Sequence, residues 1–398
     1  MSRHPFERDA VISGAGQSEV GRRLNRSALD LTTEAALRAI EDAGLTRDDI
    51  DAVTTYPGGY ASVSHGYGGP SPHELQDALR MDLSWHMGAA EIPGQLGAIV
   101  AACMAVSTGL ARHVLVYRTV TESTMQGQAG RTAVLETGDG VAFGMGAWLQ
   151  PFGSVSAVNW LAPVAQRHFH EFGTRREQLA QIALVERGNA AVNANAILRS
   201  PLTLEEYMSA RMISSPLCLF DCDIPVDGST AFVVSHIDTA ADAPRPPVHI
   251  NAIGTRLQGR VSWDQYADLT SMAAAGASAH LWSRTDLRPA DVDVALLYDG
   301  FSILTLVWLE ALGFCAHGEG GAFIEGGHRI SRIGELPVNT DGGQLSAGRL
   351  HGFGHVYEAV EQLWGRADAR QVPGAEVAVV ANGGGPIAGV MLLTARWR

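Results

Sequence analysis

Apolar residues follow two rhythms along this chain. Short, nearly unbroken runs occur at Ala10–Gly14, His113–Val120, Val226–Ser235, Val248–Gly254, Val294–Leu297 and Glu376–Ala381. Such runs predict strands of a sheet covered on both faces, where no side of the strand meets water. Longer stretches at Leu29–Ala43, Pro93–Gly109, Ala267–Trp282 and Gly354–Gly365 are alanine-rich or helically periodic and predict helices. Arg175–Asn189 reads as an amphipathic helix. Alternating strands and helices predict an α/β fold.

The pattern is written twice. Leu45–Tyr56 (LTRDDIDAVTTY) aligns without a gap on Leu287–Tyr298 (LRPADVDVALLY), sharing the leucine, two aspartates and the final tyrosine. Upstream, Leu29–Ala43 matches Ala267–Trp282, and before each helix an apolar strand ends in Gly14 or Gly254. Each half therefore reads strand, helix, acidic turn, strand, an order that predicts parallel pairing through a right-handed crossover. The expected division is 1–120 with 217–238 as one half, 121–216 as an inserted cap, and 248–398 as the second half, with the Pro-rich linker Ala240–Pro247 between halves. Tyr56–Pro72 reads as a Gly/Pro/Ser/Tyr-rich loop.

Composition narrows the chemistry. All 29 basic residues are arginine against 42 acidic ones, a net charge of −13. Without lysine there is no Schiff-base aldolase, pyridoxal aldimine or P-loop lysine. The acidic balance argues against nucleic-acid binding. Four cysteines (Cys103, Cys218, Cys222, Cys315) with no CxxC pair encode neither a disulfide framework nor a zinc ribbon. Ile92–Ala111 carries no charge, but Pro93 and several glycines interrupt it, so it predicts a buried helix rather than a membrane span. A cytoplasmic protein is expected.

Three motifs carry candidate chemistry, and the first lies where ligands meet the carboxyl ends of parallel strands. Tyr298-Asp299-Gly300-Phe301 follows a strand; a tyrosine there serves as acid or base, or merely caps the strand as its repeat mate Tyr56 would. Asn339–Gly354 is a run of small residues broken by Arg349 and His351, whose amides suit an oxyanion and whose histidine suits proton donation. The plainer reading is a structural glycine turn. His351 and His355, four apart, lack a carboxylate to complete a metal set. Ala381-Asn382-Gly383-Gly384-Gly385 predicts a hairpin between two strands.

In this order, on a duplicated chain, these motifs resemble the thiolase superfamily, and most closely its lipid-transfer or sterol-carrier-protein-x branch. The resemblance spans essentially the whole chain and implies a duplicated five-layer αβαβα fold with the cap in the first half. The departures are specific. Glu91–Leu96 stands where a thiolase has its nucleophilic cysteine, Arg349 where it has the activating histidine, and Ala381 where it has the second cysteine. Tyr-Asp-x-Phe and Gly348-Arg349-Leu350-His351-Gly352 are similar instead to the cysteine-free steroid side-chain retro-aldolases.

That resemblance implies cleavage of a β-hydroxyacyl-CoA to a ketone and a shorter acyl-CoA such as propionyl-CoA. It implies no bound cofactor and no metal, with the CoA thioester as substrate. It also implies a homodimer and a small zinc-ribbon/OB-fold partner of the DUF35 type. Tyr298 is the expected base, with Asp299 beside it. His351 and amides of Gly348, Gly352, Asn382, Gly383 and Gly384 are the expected oxyanion donors. Arg349 is the expected electrostatic support, able to lower the tyrosine's pKa. It stands where that branch carries a second tyrosine, for which Tyr357 is the candidate substitute. Two alternatives stay open: a cysteine-independent acyltransferase or condensing enzyme, and a non-catalytic subunit of a complex.

Overall fold

The computed structural model describes residues 5–58, 66–89, 91–126, 144, 146–260 and 262–397. Part of the Tyr56–Pro72 loop (59–65) and much of the early cap (127–143 and 145) lie outside the described residues. The main strands are β1 (Ala10–Gln17), β2 (Ala52–Thr55), β3 (Trp85–Gly88), β4 (His113–Thr121), β5 (Asp227–His236), β6 (Val248–Leu257), β7 (Val294–Leu297), β8 (Val377–Gly383) and β9 (Ile387–Thr394). The longer helices are α1 (Ala28–Asp42), α2 (Pro72–Leu79), α3 (Gly97–Ser107), α4 (Ala157–Phe172), α5 (Arg176–Ala191), α6 (Met272–Trp282), α7 (Ser302–Ala311) and α8 (Phe353–Leu363).

The strands run in the order β3-β2-β4-β5-β1-β6-β9-β8-β7. Beyond the extra edge strand β3, this order is mirrored about its middle: β2-β4-β5-β1 faces β6-β9-β8-β7. Directions repeat as well. β2 with β4 and β7 with β8 are parallel, while the remaining pairs within each half are antiparallel. β1 and β2 thus run the same way, but they are not neighbours as the sequence pattern predicts. β4 and β5 lie between them, because the chain returns from the cap to pair antiparallel with both β4 and β1. Among the described residues, the two half-sheets pair where Val11 and Ile12 meet His249 and Val248.

The duplication extends to backbone contacts. A Cβ added at Gly14 would meet Ala39 O at 2.2 Å and Ala43 N at 2.7 Å; one added at Gly254 would meet Ala277 O at 2.2 Å and Leu281 N at 2.6 Å. Each glycine seats its outer helix, α1 or α6, directly on the strand. The helix α6 starts at Met272, later than predicted, because Asp268 accepts from Thr270 N at 2.9 Å and holds a polar turn ahead of it.

Alternation along the strands builds the layers. In β4, Val114 and Val116 face α3 and α8, while Leu115 and Tyr117 face α1 and α2. In β7, Val294 and Leu296 face the same α3 and α8, while Ala295 and Leu297 face α6, α7 and the cap. The helices α3 and α8 therefore form an inner layer shared by both half-sheets, and α3 is apolar on nearly every side, as its sequence requires. Among the described residues no helix is long and apolar enough to cross a membrane. In the cap, α5 lies along the Asn339–Gly348 loop. Arg187 Nε donates to Ser346 Oγ (2.9 Å), and Asn189 Nδ2 donates to Val338 O (3.0 Å) and Asn339 O (3.1 Å).

Candidate active site

Tyr298 follows the carboxyl end of β7, and its N–H continues the ladder to Ala381 O at 2.9 Å. Asn339 holds this strand end from the other side: its Oδ1 accepts from Leu297 N at 2.8 Å, and its Nδ2 donates to Leu297 O at 3.0 Å. Asp299 is fully buried behind the tyrosine. It accepts from the amides of Gln344 (2.6 Å) and Leu345 (3.2 Å), and its Oδ1 lies 2.9 Å from His355 Nε2. Burial pushes the Asp299 carboxyl up, but His355, with Glu186 and the Leu345 amide, holds it below the ordinary carboxylate range. Burial likewise works against charge on His355, which Asp299 and Asp341 nevertheless keep above the usual imidazole range. Asp299 and His355 form a buried ionic support, and the Tyr298 ring stands 6.3 Å from that of His355.

His351 occupies the left-handed region at φ 52° and projects toward residues of the first half. Its Nδ1 is 3.0 Å from Arg118 Nη2, and its Nε2 is 2.9 Å from Tyr67 Oη and 3.2 Å from Gln95 Nε2. A guanidinium has donors only, so Nδ1 must present its lone pair. A neutral His351 therefore carries its proton on Nε2 and donates it. Gln95 then serves this nitrogen best with its amide turned so that Oε1, which has no partner among the described residues, accepts. Three tyrosines surround the imidazole, with ring centroids at 4.6 Å (Tyr67), 6.2 Å (Tyr298) and 6.3 Å (Tyr56). The Tyr56 and Tyr67 hydroxyls are 3.5 Å apart. Burial and neighbouring Tyr56 raise the Tyr67 phenol well above its usual range, against the pull of Arg118 and Arg349.

Several expected roles change. Arg349 forms ion pairs with Glu122 and with Asp223 (2.7 Å), so two carboxylates share a charge that also reaches Tyr298 and Tyr67. Burial opposes its charge, but the two carboxylates hold the guanidinium pKa above its usual value. The cation bonded to His351 is Arg118. Tyr357 does not join the cluster. Two residues beyond His355 on α8, it faces another direction and lines a cavity with Gln17, Asn195 and Arg38. Burial and Glu361 push its phenol up to about 12. The Gly348, Gly352 and Gly384 amides donate to Gly343 O (3.2 Å), Gln344 Oε1 (3.2 Å) and Ile387 O (3.0 Å), so they hold the loops' own shape. Gly383 O accepts from Trp308 Nε1 (3.2 Å), and Asn382 Nδ2 reaches Gly352 O (3.4 Å). The side chains of His351 and His355 are committed to different partners, and among the described residues no three His, Cys, Asp or Glu side chains could hold a metal.

Tyr67, Arg118, Glu122, Asp223 and Glu186 were not singled out from sequence. Arg118 left one sign, a charged residue within the apolar run His113–Val120. Tyr67 left none beyond its aromatic ring in a loop.

A cleft of about 390 Å³ is lined in part by Asp223, the partner of Arg349. Its floor includes Phe301, Pro225 and Asp223; Val158, Ile213, Leu219 and Cys222 add apolar wall, and Arg22, Arg23 and Arg211 stand at its edge. Asp223 N donates to Gly300 O at 3.2 Å, which joins the floor to the loop after β7.

Residues 257–393 match the family described as Thiolase C-terminal domain-like. The chain is 36% identical to a steroid side-chain-cleaving aldolase of Thermomonospora curvata, over 96% of this chain and 97% of that protein. It is 34% identical to the 17-hydroxy-3-oxo-4-pregnene-20-carboxyl-CoA lyase of Mycobacterium tuberculosis, over 96% and 98%. Among solved structures, the Ltp2-ChsH2(DUF35) aldolase superposes with a TM-score of 0.86 at 32% identity, covering 98% of this chain and 99% of that one.

Proposed function

The chain belongs to the thiolase superfamily, on the branch that holds the steroid side-chain-cleaving aldolases, and from that premise we propose that it is a carbon–carbon lyase. It cleaves a β-hydroxyacyl-CoA with a steroid side chain by retro-aldol reaction, giving a ketone and a short acyl-CoA such as propionyl-CoA. The observation that carries this reading is the convergence of Tyr298, Tyr67 and a donating His351 at one point, with no cysteine in the cluster.

In the proposed step, Tyr298 acts as the phenolate, beside the Arg349 charge, and takes the proton of the β-hydroxyl. The Cα–Cβ bond breaks, Cβ becomes the ketone carbon, and the electron pair moves onto the thioester carbonyl as an enolate. His351 Nε2–H and the Tyr67 hydroxyl donate to that oxygen. The proton that Tyr298 took up then passes to Cα, which gives the shorter acyl-CoA and restores the phenolate. Arg118 occupies the His351 Nδ1 lone pair, which leaves Nε2–H as the donor, and no iminium or metal is called upon.

The arginine-edged cleft suits the CoA portion of the substrate. Arg22 and Arg211 make no ion pair among the described residues, and guanidinium forks match phosphate oxygens. The apolar wall from Val158 to Phe301 suits the pantetheine arm. We further propose a homodimer and a DUF35-type partner.

The test is product analysis on β-hydroxyacyl-CoAs with the chain purified alongside its native neighbours. Ketone plus a shorter acyl-CoA supports the lyase. A joined β-keto product would assign it to the acyltransferases, and no turnover with any partner would leave a structural subunit.

A further inference from the structure

Glu186 belongs to α5 of the cap rather than to either repeated half, yet its carboxyl lies at the end of β7. It is 1% exposed. Oε1 accepts from Asn339 Nδ2 at 2.7 Å, the same amide that holds Leu297. Oε2 converges with Asp299 Oδ2 above Gly343. A Cβ placed on Gly343 would sit 2.1 Å from the aspartate oxygen and 2.8 Å from the glutamate oxygen. Gly343, at φ 59°, is therefore the one residue type that leaves room for the two carboxyls to meet.

The two buried carboxyls are hydrogen-bonded to each other, which needs a shared proton, because two adjacent anions without water are costly. The donors decide where the charge rests. Asp299 has His355 and the amides of Gln344 and Leu345, whereas Glu186 has one amide of Asn339. We infer that Glu186 is a positioning residue, a neutral carboxylic acid supplied by the cap that donates to Asp299 and pins the loop carrying Tyr298. Burial first, and the Asp299 charge second, raise the Glu186 carboxyl well above its ordinary range, in the same sense. The groups facing it are Asp299 after β7, Asn339 and Asp341 on the glycine loop, and, behind these, His355 and Glu358 on α8 with Arg370 paired to Glu358 (3.0 Å). Arg187, next on α5, is turned to Ser346.

The activity readouts below rest on the lyase reading; the stability readout does not. A glutamine reproduces a neutral acid in both roles, since its oxygen accepts from Asn339 and its amide donates to Asp299. Glu186→Gln should keep kcat and KM within a few-fold, whereas Glu186→Ala should lower kcat about tenfold or more with KM held, from a buried acceptor left without its donor. Wild-type turnover should fall at alkaline pH as Glu186 ionises against Asp299, and Glu186→Gln should lack that limb. Thermal denaturation gives the second test. A carboxyl whose folded pKa is raised costs stability progressively as pH climbs from its unfolded value toward the folded one. The Tm of Glu186→Gln should therefore gain on wild type as pH rises through that window. A glutamine variant as inactive as the alanine variant would make Glu186 an ionised base and overturn the inference. A Tm difference that does not change with pH would overturn it too, even if the chain cleaved no β-hydroxyacyl-CoA.

Discussion

The Tyr67 hydroxyl lies 2.9 Å from His351 Nε2, although 284 residues separate them in the chain. Tyr67 comes from the first half and His351 from the second, so the site is completed only where the two repeats face each other. Tyr56 and Tyr298, repeat mates in sequence, flank the same imidazole.

Tyr298→Phe removes one hydroxyl and keeps the ring, so the fold and ligand binding should survive while cleavage falls by about 10²–10⁴-fold, the usual worth of a general base. Tyr67→Phe should cost less, about tenfold, because His351 retains its own donor. Steady-state kinetics beside an unchanged circular dichroism spectrum would check both. Retained turnover in Tyr298→Phe would move the base elsewhere, with His351 next to test.

Arg118 fixes the His351 tautomer, so Arg118→Met should release it. In the wild type, ¹⁵N NMR of labelled histidine should show Nδ1 as the unprotonated nitrogen and Nε2 as the protonated one. The variant should show exchange between tautomers and a lower kcat. A wild-type signal with the proton on Nδ1 would contradict the bonding described.

Arg22→Ala and Arg211→Ala should each raise KM for a CoA thioester by about five- to tenfold, one charge-assisted hydrogen bond's worth, and leave kcat nearly unchanged. A pantetheine thioester without phosphates should not distinguish these variants from wild type. Equal losses on both substrates would remove the phosphates from this cleft.

Thiol chemistry should be dispensable. Cys103 is buried in α3, where burial drives its pKa far up, and Cys315 is pushed up to about 12 by burial and nearby Glu310. Cys222 lines the cleft and is the stringent case. Single replacements of Cys103, Cys218, Cys222 and Cys315 by alanine or serine should keep turnover within several-fold. An acyl adduct on any of them, seen by mass spectrometry, would restore a thiolase mechanism.

Glu310 ties the cap to the second half. It accepts from Gly320 N (2.8 Å) and lies 2.9 Å from His168 Nε2. Burial pushes its carboxyl up, but His168 and backbone amides bring it below the ordinary range. A depressed carboxylate stabilises the fold above its unfolded pKa, and this contribution is lost as pH falls through the folded value. Glu310→Gln should cost about 1.5–3 kcal/mol at neutral pH, the worth of hydrogen bonds to a charged group. The deficit should shrink in acid, as denaturation at several pH values would show.

The repeat was legible because it rests on periodicity. Glycine-ended strands, matched helices and the shared final tyrosine marked the mirrored sheet, though not the return of β5 between β1 and its expected neighbour. Tyr298, His351 and Arg349 were visible as interruptions of small-residue motifs. Which of them carries free charge was not visible, since the carboxylates that balance Arg349 come from Glu122 and Asp223, far off in sequence. Glu186 was hidden for a related reason. A charged residue on a periodic helix ordinarily faces water, and only the glycine loop packed over α5 buries this one.

The seats at Gly14 and Gly254 set the thickness of each outer layer by the absence of a side chain. Even a methyl at either position would have to lift a whole helix off its half-sheet, and the displacement would pass through the sheet to the helices that both halves share. Tolerance to change should therefore be uneven across the molecule. Loops that meet the substrate have room to drift toward other acyl chains, whereas two small positions remote from all chemistry have none. A lineage changing its substrate would be expected to vary the cleft wall and leave both seats untouched.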